Sequence, residues 1–268
     1  MRPRMIATDL DGTLLDERRA LSPRTVRAVR EAVAEGIDFV LVTARPPRTV
    51  APLAEALGVE IEALCGNGTL LARFPSGATT LIESFDAGRA AAIVRRLRPA
   101  LPEAGFAFET GSEVYYEPGF GIGQVGDEHR IRTNDLAAAG RTVPHIIKVL
   151  ARSAERSADE MVAVALERLP EGAEISHSGG RGLLEIAPPG ASKASALAWL
   201  CARRGITAAE VAAFGDMPND LPMLRWAGIG HAVANAHPEV LAAADAVVGH
   251  HAEDGVAAAI EGLLGAGG

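Results

Sequence analysis

Two carboxylates stand one residue apart in the run Ile6-Ala7-Thr8-Asp9-Leu10-Asp11-Gly12-Thr13-Leu14-Leu15. An apolar start leads into them, and a glycine, a hydroxyl and two leucines follow. Extended backbone alternates its faces, so Asp9 and Asp11 can point to the same side as a strand ends. Carboxylates that close repel each other unless a cation or a proton lies between them. The pair therefore calls for a divalent metal, for a nucleophile beside a general acid, or for both. Asp and Gly are also ordinary turn formers, so the run alone leaves a plain acidic turn open.

Three later segments repeat the pattern of polar groups just past an apolar stretch. Ile37 to Val42 ends at Thr43-Ala44-Arg45. Val211 to Phe214 ends at Gly215-Asp216-Met217-Pro218-Asn219-Asp220. Pro188-Pro189-Gly190-Ala191-Ser192-Lys193 leads into a helical pattern through Ala194, Leu197, Leu200 and Cys201. In open parallel α/β sheets, ligands bind beyond the carboxyl ends of the strands. Asp9, Asp11, Thr43, Lys193, Asp216, Asn219 and Asp220 are thereby predicted to converge on one crevice.

The elements that must position them can be read from the periodicity. Met5 to Thr8 reads as a strand. A helix follows from Ser22-Pro23, a favourable cap and first-turn pair, with Val26, Val29 and Val33 as its apolar stripe and Gly36 as its stop. After Thr43 a second helix runs through Val50, Leu53, Ala54 and Leu57 to Gly58, and Ala63-Leu64-Cys65 makes a short strand ending at Gly66-Asn67-Gly68. This βαβαβ order predicts a doubly wound parallel sheet. From about Leu81 the texture changes. Phe106 to Glu109 and Glu113 to Glu117 read as a hairpin, Ile146 to Leu150 as a strand and Ala158 to Leu169 as a helix. Ala173 to Ser176 with Leu183 to Ile186 makes a second strand pair. That is an α+β layer, an antiparallel sheet with helices on one face. From Ser192 the βα rhythm resumes. The reading is thus a core of residues 1–80 and 188–268, interrupted by an α+β domain of residues 81–187.

The motifs and their order resemble the haloacid dehalogenase superfamily. Asp9-Leu10-Asp11-Gly12-Thr13, Thr43, Lys193 and Gly215-Asp216-Met217-Pro218-Asn219-Asp220 are similar to its four motifs. Asn67-Gly68, Ala234-Asn235-Ala236 and Glu253-Asp254-Gly255-Val256 are similar to secondary marks of its Cof-type phosphatase branch. The resemblance covers essentially the whole chain. It implies an α/β fold, a Rossmann-like doubly wound parallel core with the α+β insertion as a cap. It implies a Mg²⁺-dependent phosphatase acting on a small phosphorylated metabolite, such as a sugar phosphate, through an aspartyl phosphate. Asp9 is then the nucleophile, and Asp11 the general acid and base, with only its backbone carbonyl given to the metal. Asp9, Asp11, Asp216 and Asp220 make the metal site. Thr43, the Ala44 backbone, Lys193 and Asn219 meet the phosphate, with Arg45 and Asn67 at the substrate rim. Ala44 and Ala194 depart from the glycines usual at those positions. Tyr115, Tyr116, His177 and Arg181 of the insertion are further candidates to face the substrate. The same chemistry admits a phosphotransferase or phosphohexomutase, and a metabolite-binding protein that keeps the fold is the alternative of another class.

Composition narrows the classes further. The net charge is -8 and aromatics make up 4%, so neither a nucleic-acid backbone nor an anionic membrane is an expected partner. No apolar run reaches the roughly 20 residues needed to cross a bilayer. Cys65 and Cys201 have no companions at metal-ligand spacing, so zinc is not expected. With no secretory signal, reduced thiols and a cytoplasmic enzyme, monomeric or a homodimer, are expected. The terminal Gly265-Ala266-Gly267-Gly268 reads as a frayed tail.

Overall fold

The computed structural model describes residues 2–121, 129–169, 172–177 and 182–265. The chain forms two compact units, Met1–Thr80 with Ser192–Gly268, and Leu81–Ala191. Their elements run in order: β1 (Met5–Thr8), α1 (Pro23–Ala34), β2 (Asp38–Val42), α2 (Pro47–Leu57), β3 (Ile61–Cys65), β4 (Leu70–Phe74) and β5 (Thr79–Leu81). Then come α3 (Ala87–Leu97), β6 (Gly105–Glu109), β7 (Val114–Tyr116), β8 (Arg130–Arg132), α4 (Leu136–Gly140), β9 (Lys148–Arg152), α5 (Ala158–Arg168), β10 (Glu174–Ser176) and β11 (Leu183–Ala187). The last segment holds α6 (Lys193–Arg204), β12 (Val211–Gly215), α7 (Leu221–Trp226), β13 (Ile229–Val233), α8 (Pro238–Ala243), β14 (Ala246–Val248) and α9 (Gly255–Gly265).

The first unit is built on a sheet in the order β14-β13-β12-β1-β2-β3-β4-β5. Its strands from β14 to β3 are parallel. β1 is central, and the winding direction reverses between it and β12. That is the switch point at which open α/β sheets leave a crevice. β1 and β12 are wholly buried, as a strand covered on both faces should be. The antiparallel partner β4 adds to the expected parallel order: only residues 66–69 separate it from β3, too few for a parallel crossover, so the two close as a hairpin. α1 is capped by Ser22, whose Oγ accepts from Thr25 N–H at 3.0 Å. Its buried face is Thr25, Ala28, Val29 and Ala32, so Val29 of the expected stripe is buried while Val26 and Val33 are only half-buried. The i, i+3, i+4, i+7 set wins because small residues let the helix lie close to the sheet.

The second unit has a six-stranded sheet in the order β10-β11-β9-β6-β7-β8. The two predicted strand pairs form, β6 with β7 and β10 with β11. One departure is that β7 and β8 are parallel. Phe106, Phe108, Val149, Ala151, Leu184 and Ile186 make one core with Ile93, Leu97, Met161 and Ala165 of α3 and α5. Pro188 to Ala191 belong to this unit, held by Gly190 N–H to Glu174 and Ala191 N–H to the Pro188 carbonyl.

Candidate active site

The site assembles at the carboxyl ends of β1, β2, β3 and β12. β1 stops at Thr8, so strand alternation does not reach Asp11. The chain instead enters a wide turn over Leu10–Leu14, closed by Leu15 N–H to the Leu10 carbonyl at 3.0 Å. Asp11 (φ -75°, ψ 119°) and Gly12 (φ 79°, ψ -1°) have the dihedrals of a type II turn, which requires a positive φ at its second central residue. Gly12 meets a second demand. A Cβ there would stand 2.4 Å from Asp216 Oδ2, so only glycine lets the turn and the β12 carboxylate approach. Thr13 completes the junction by donating to Asp216 Oδ1 at 2.9 Å.

The two aspartates of the first motif therefore part company. Asp9 faces the sheet crevice, where Lys193 Nζ donates to its Oδ1 at 2.6 Å. The same ammonium donates to Asp220 Oδ1 at 2.6 Å. Asp11 accepts a two-pronged guanidinium, from Arg45 Nε to Oδ2 and Arg45 Nη2 to Oδ1, each at 2.6 Å. Planar fork geometry of this kind is what arginine offers and lysine cannot. Arg45 thus holds the second aspartate.

Lys193 reaches two carboxylates because it opens α6. Ser192 caps that helix, its Oγ accepting from Ser195 N–H at 3.0 Å. The cap packs against Gly68, where a Cβ would lie 2.3 Å from the Ser192 carbonyl oxygen. The Asn67-Gly68 turn thereby seats the helix that carries the lysine. On the other side, Asp220 Oδ2 accepts from the N–H groups of Asp216 and Met217 at 3.1 and 3.0 Å. It caps the turn after β12 with one oxygen and holds Lys193 with the other.

Asp9, Asp216 and Asp220 are 6%, 7% and 0% exposed. Each offers an oxygen within 4.8 Å of the others. Burial raises Asp9 well above the usual carboxylate range, and Asp220 and Asp216 add to this against the opposing pull of Lys193. Asp216 is pushed up to about 6, by burial first and by Asp220 next. Burial would lower Lys193, but Asp220 and Asp9 outweigh it and raise it. Three carboxylates and one ammonium leave an excess of negative charge in a buried place, which is what a divalent cation neutralises. Asn219 Oδ1 is buried nearby with no hydrogen-bond partner among the described residues, while its Nδ2 donates to Asn67 Oδ1 at 3.3 Å. A buried orphan acceptor on the residue preceding Asp220 fits a hard cation with oxygen ligands. The Asp11 carboxylate is outside this cluster.

The remaining predicted residues fall around it. Thr43, 2% exposed, directly follows β2, and its hydroxyl oxygen accepts from Arg45 N–H at 3.1 Å. Ala44 lies between them. Asn67 N–H donates to the Thr43 carbonyl and Gly66 N–H to the Arg45 carbonyl, both at 3.0 Å. Sequence reasoning missed Thr13, which its motif position could have flagged. It missed His251 altogether. Asn235, seen only as a family mark, donates from Nδ2 to the Gly12 carbonyl at 2.8 Å. In the second unit, Tyr115 donates to Glu113 at 2.7 Å and packs on the helix side of the sheet. Tyr116 lies on the other side with Ala107 and Phe120. His177 bonds Asp159 at 2.9 Å. Arg181 and the tail residues 266–268 lie outside the described residues.

Clustered carboxylates and a buried lysine meet here at a sheet switch point, a site able to hold a cation beside an anionic substrate. The chain belongs to the haloacid dehalogenase-like hydrolases, whose family model matches residues 6–260. It is 29% identical to a pyridoxal phosphate phosphatase of Escherichia coli (strain K12), over 96% of this chain and 97% of that one. It is also 29% identical to an HMP-PP phosphatase of Cronobacter sakazakii, over 95% and 93%. A solved haloacid dehalogenase-like hydrolase from B. subtilis matches with a TM-score of 0.83 at 27% identity, covering 96% of this chain and 99% of that one. This chain is accordingly a phosphoric monoester hydrolase. No helix among the described residues is long and apolar enough to cross a membrane.

Proposed function

We propose that this enzyme is a Mg²⁺-dependent phosphatase that hydrolyses a small phosphorylated metabolite through an aspartyl phosphate on Asp9. The observation that carries the reading is the Lys193 ammonium bridging Asp9 and Asp220 inside the buried carboxylate cluster. The phosphate-bearing substrates in the relatives' names support the substrate class. Asp9, Asp216, Asp220 and the Asp11 backbone carbonyl would hold Mg²⁺. When bound, it supplies charge neutralisation for the carboxylates and the phosphoryl oxygens together.

Asp9 attacks phosphorus, the bond to the leaving oxygen breaks, and Asp11 gives that oxygen a proton. Water then attacks the aspartyl phosphate and yields its proton to Asp11, releasing inorganic phosphate and restoring both aspartates. Lys193 orients the Asp9 carboxylate and offers its charge to the phosphoryl group. Thr43, the Ala44 N–H and the donor end of Asn219, its Nδ2, supply further phosphate contacts, with Asn67 at the rim and Asn219 Oδ1 left to the cation side. To act as the acid, Asp11 must leave the Arg45 fork and take up a proton from solvent, so release of Arg45 readies the acid. We assign substrate selectivity to the unit Leu81–Ala191. Tyr116→Ala should then change KM ratios across a panel of phosphorylated metabolites, and unchanged ratios throughout that unit would count against the assignment.

The decisive experiment separates the two aspartates. Asp9→Asn should abolish hydrolysis of every substrate. Asp11→Asn should slow the first step on an alkyl phosphate by about 10²- to 10⁴-fold. With p-nitrophenyl phosphate the leaving group is stable as an anion. The variant should therefore release a burst near one p-nitrophenolate per site, then turn over slowly. Equal slowing of both substrates with no burst would remove Asp11 from acid–base chemistry.

A further inference from the structure

The turn that carries Asp9 and Asp11 is held from outside by a pair of side chains far along the chain. His251 Nδ1 lies 2.7 Å from the Leu15 carbonyl oxygen. That oxygen can only accept, so Nδ1 carries the hydrogen and donates. The His251 backbone N–H donates to Asn235 Oδ1 at 3.0 Å, and Asn235 Nδ2 donates to the Gly12 carbonyl at 2.8 Å. One continuous chain of hydrogen bonds thus pins the turn at its left-handed glycine and at its last residue. Leu15 is wholly buried, and its own N–H closes the turn onto Leu10. Its carbonyl therefore needs a protein donor, since a buried carbonyl without one is costly. Regular secondary structure does not supply it, because Leu15 follows the turn and lies in no strand or helix.

We propose that His251 is a positioning residue of the phosphatase: together with Asn235 it clamps the turn so that Asp9 and the Asp11 backbone stay aligned for phosphoryl transfer. The inference rests on the function proposed above for its kinetic consequence, and on the hydrogen bonds alone for the clamp itself. His251 touches no reacting atom. Its effect passes through the Leu15 and Gly12 carbonyls, and small displacements of reacting groups are expensive in rate.

The geometry gives an atom-specific test in the full chain. The side-chain nitrogen of Asn sits where Nδ1 of His sits, whereas that of Gln sits nearer the position of Nε2. His251→Ala should speed hydrogen exchange of the segment 9–16, the Leu15 amide above all. It should also lower kcat on p-nitrophenyl phosphate by about 10- to 100-fold. KM should stay within about twofold, since ground-state binding is not what the clamp provides. His251→Asn should restore protection and kcat together, and His251→Gln should restore neither. Unchanged exchange in His251→Ala overturns the clamp. Rescue by Gln as complete as by Asn, or faster exchange with kcat intact, overturns the positioning role. If the wild-type enzyme does not turn over phosphate esters, the functional reading fails while the exchange arm still decides the clamp.

Discussion

Removing the Lys193 ammonium tests the electrostatics of the site directly. Lys193 is 2% exposed and bonds both Asp9 and Asp220 at 2.6 Å. Lys193→Met keeps most of the side-chain volume and leaves Asp9, Asp216 and Asp220 buried without it. Breaking a buried ion pair from one side costs about 3–5 kcal/mol, because the partner charge is left uncompensated. At about 2–4 °C per kcal/mol for a unit of this size, the melting temperature should fall by about 6–20 °C. The loss should depend on pH. Folded carboxylates raised above their unfolded values bind more protons in the native state than in the unfolded one. Their protonation therefore supports the fold at low pH, and that support is lost as pH rises through the folded value. Asp216 already sits at about 6 with Lys193 in place, and removing the ammonium pushes the cluster higher. The gap between variant and wild type should thus widen from pH 5 to pH 8. Mg²⁺ should recover part of it by binding the native state. The double variant Lys193→Met, Asp220→Asn should cost less than the sum of the single changes, since it removes one orphaned charge. Thermal denaturation of the four proteins, with and without Mg²⁺, measures all of this. A melting temperature within about 1 °C of wild type at pH 7.5 would refute the buried bridge.

Chelation should abolish hydrolysis and Mg²⁺ restore it, with Ca²⁺ a poor substitute because it prefers more ligands at longer distances; full activity after exhaustive chelation would rule the cation site out. His231 is 6% exposed, stacks on Phe214 at 4.6 Å between ring centres, and its Nδ1 has no hydrogen-bond partner among the described residues. Burial holds its pKa below the usual histidine value. The unfolded chain therefore binds the extra proton first, and stability should fall as pH drops below about 6.5, by up to about 1.4 kcal/mol per pH unit. Urea unfolding of His231→Phe should show a flatter dependence between pH 6.5 and 5, and an identical slope would remove His231 from the account.

Much of the site is legible in the chain because it depends on local rules. Apolar runs that end in Asp9, Thr43 and Asp216 place those groups at strand ends, and βα alternation puts strand ends on one side of a sheet. Ser192 as a cap puts Lys193 at a helix start. Gly12 is written into the turn by its positive φ. Periodicity, however, reports which residues share a face of one element and not which elements lie side by side. The stripe of α1 could be rotated onto Thr25 and Ala28 only once the sheet was there to receive it. The antiparallel β4 lacks the crossover length on which the parallel reading relied. Partners distant in sequence are invisible to local pattern: Thr13 finds Asp216 across 203 positions, and His251 finds Leu15 across 236. Above all, the spacing of Asp9 and Asp11 suggests a matched pair. The strand stops at Thr8 and the turn over Leu10–Leu14 takes over between them, sending one carboxylate to Lys193 and the other to Arg45. Residue types and order in the chain determine that carboxylates, a lysine and hydroxyls meet. Which carboxylate faces which cation is decided by the turn and the strand order, since hydrogen bonds of under 3 Å need atoms placed by the whole fold.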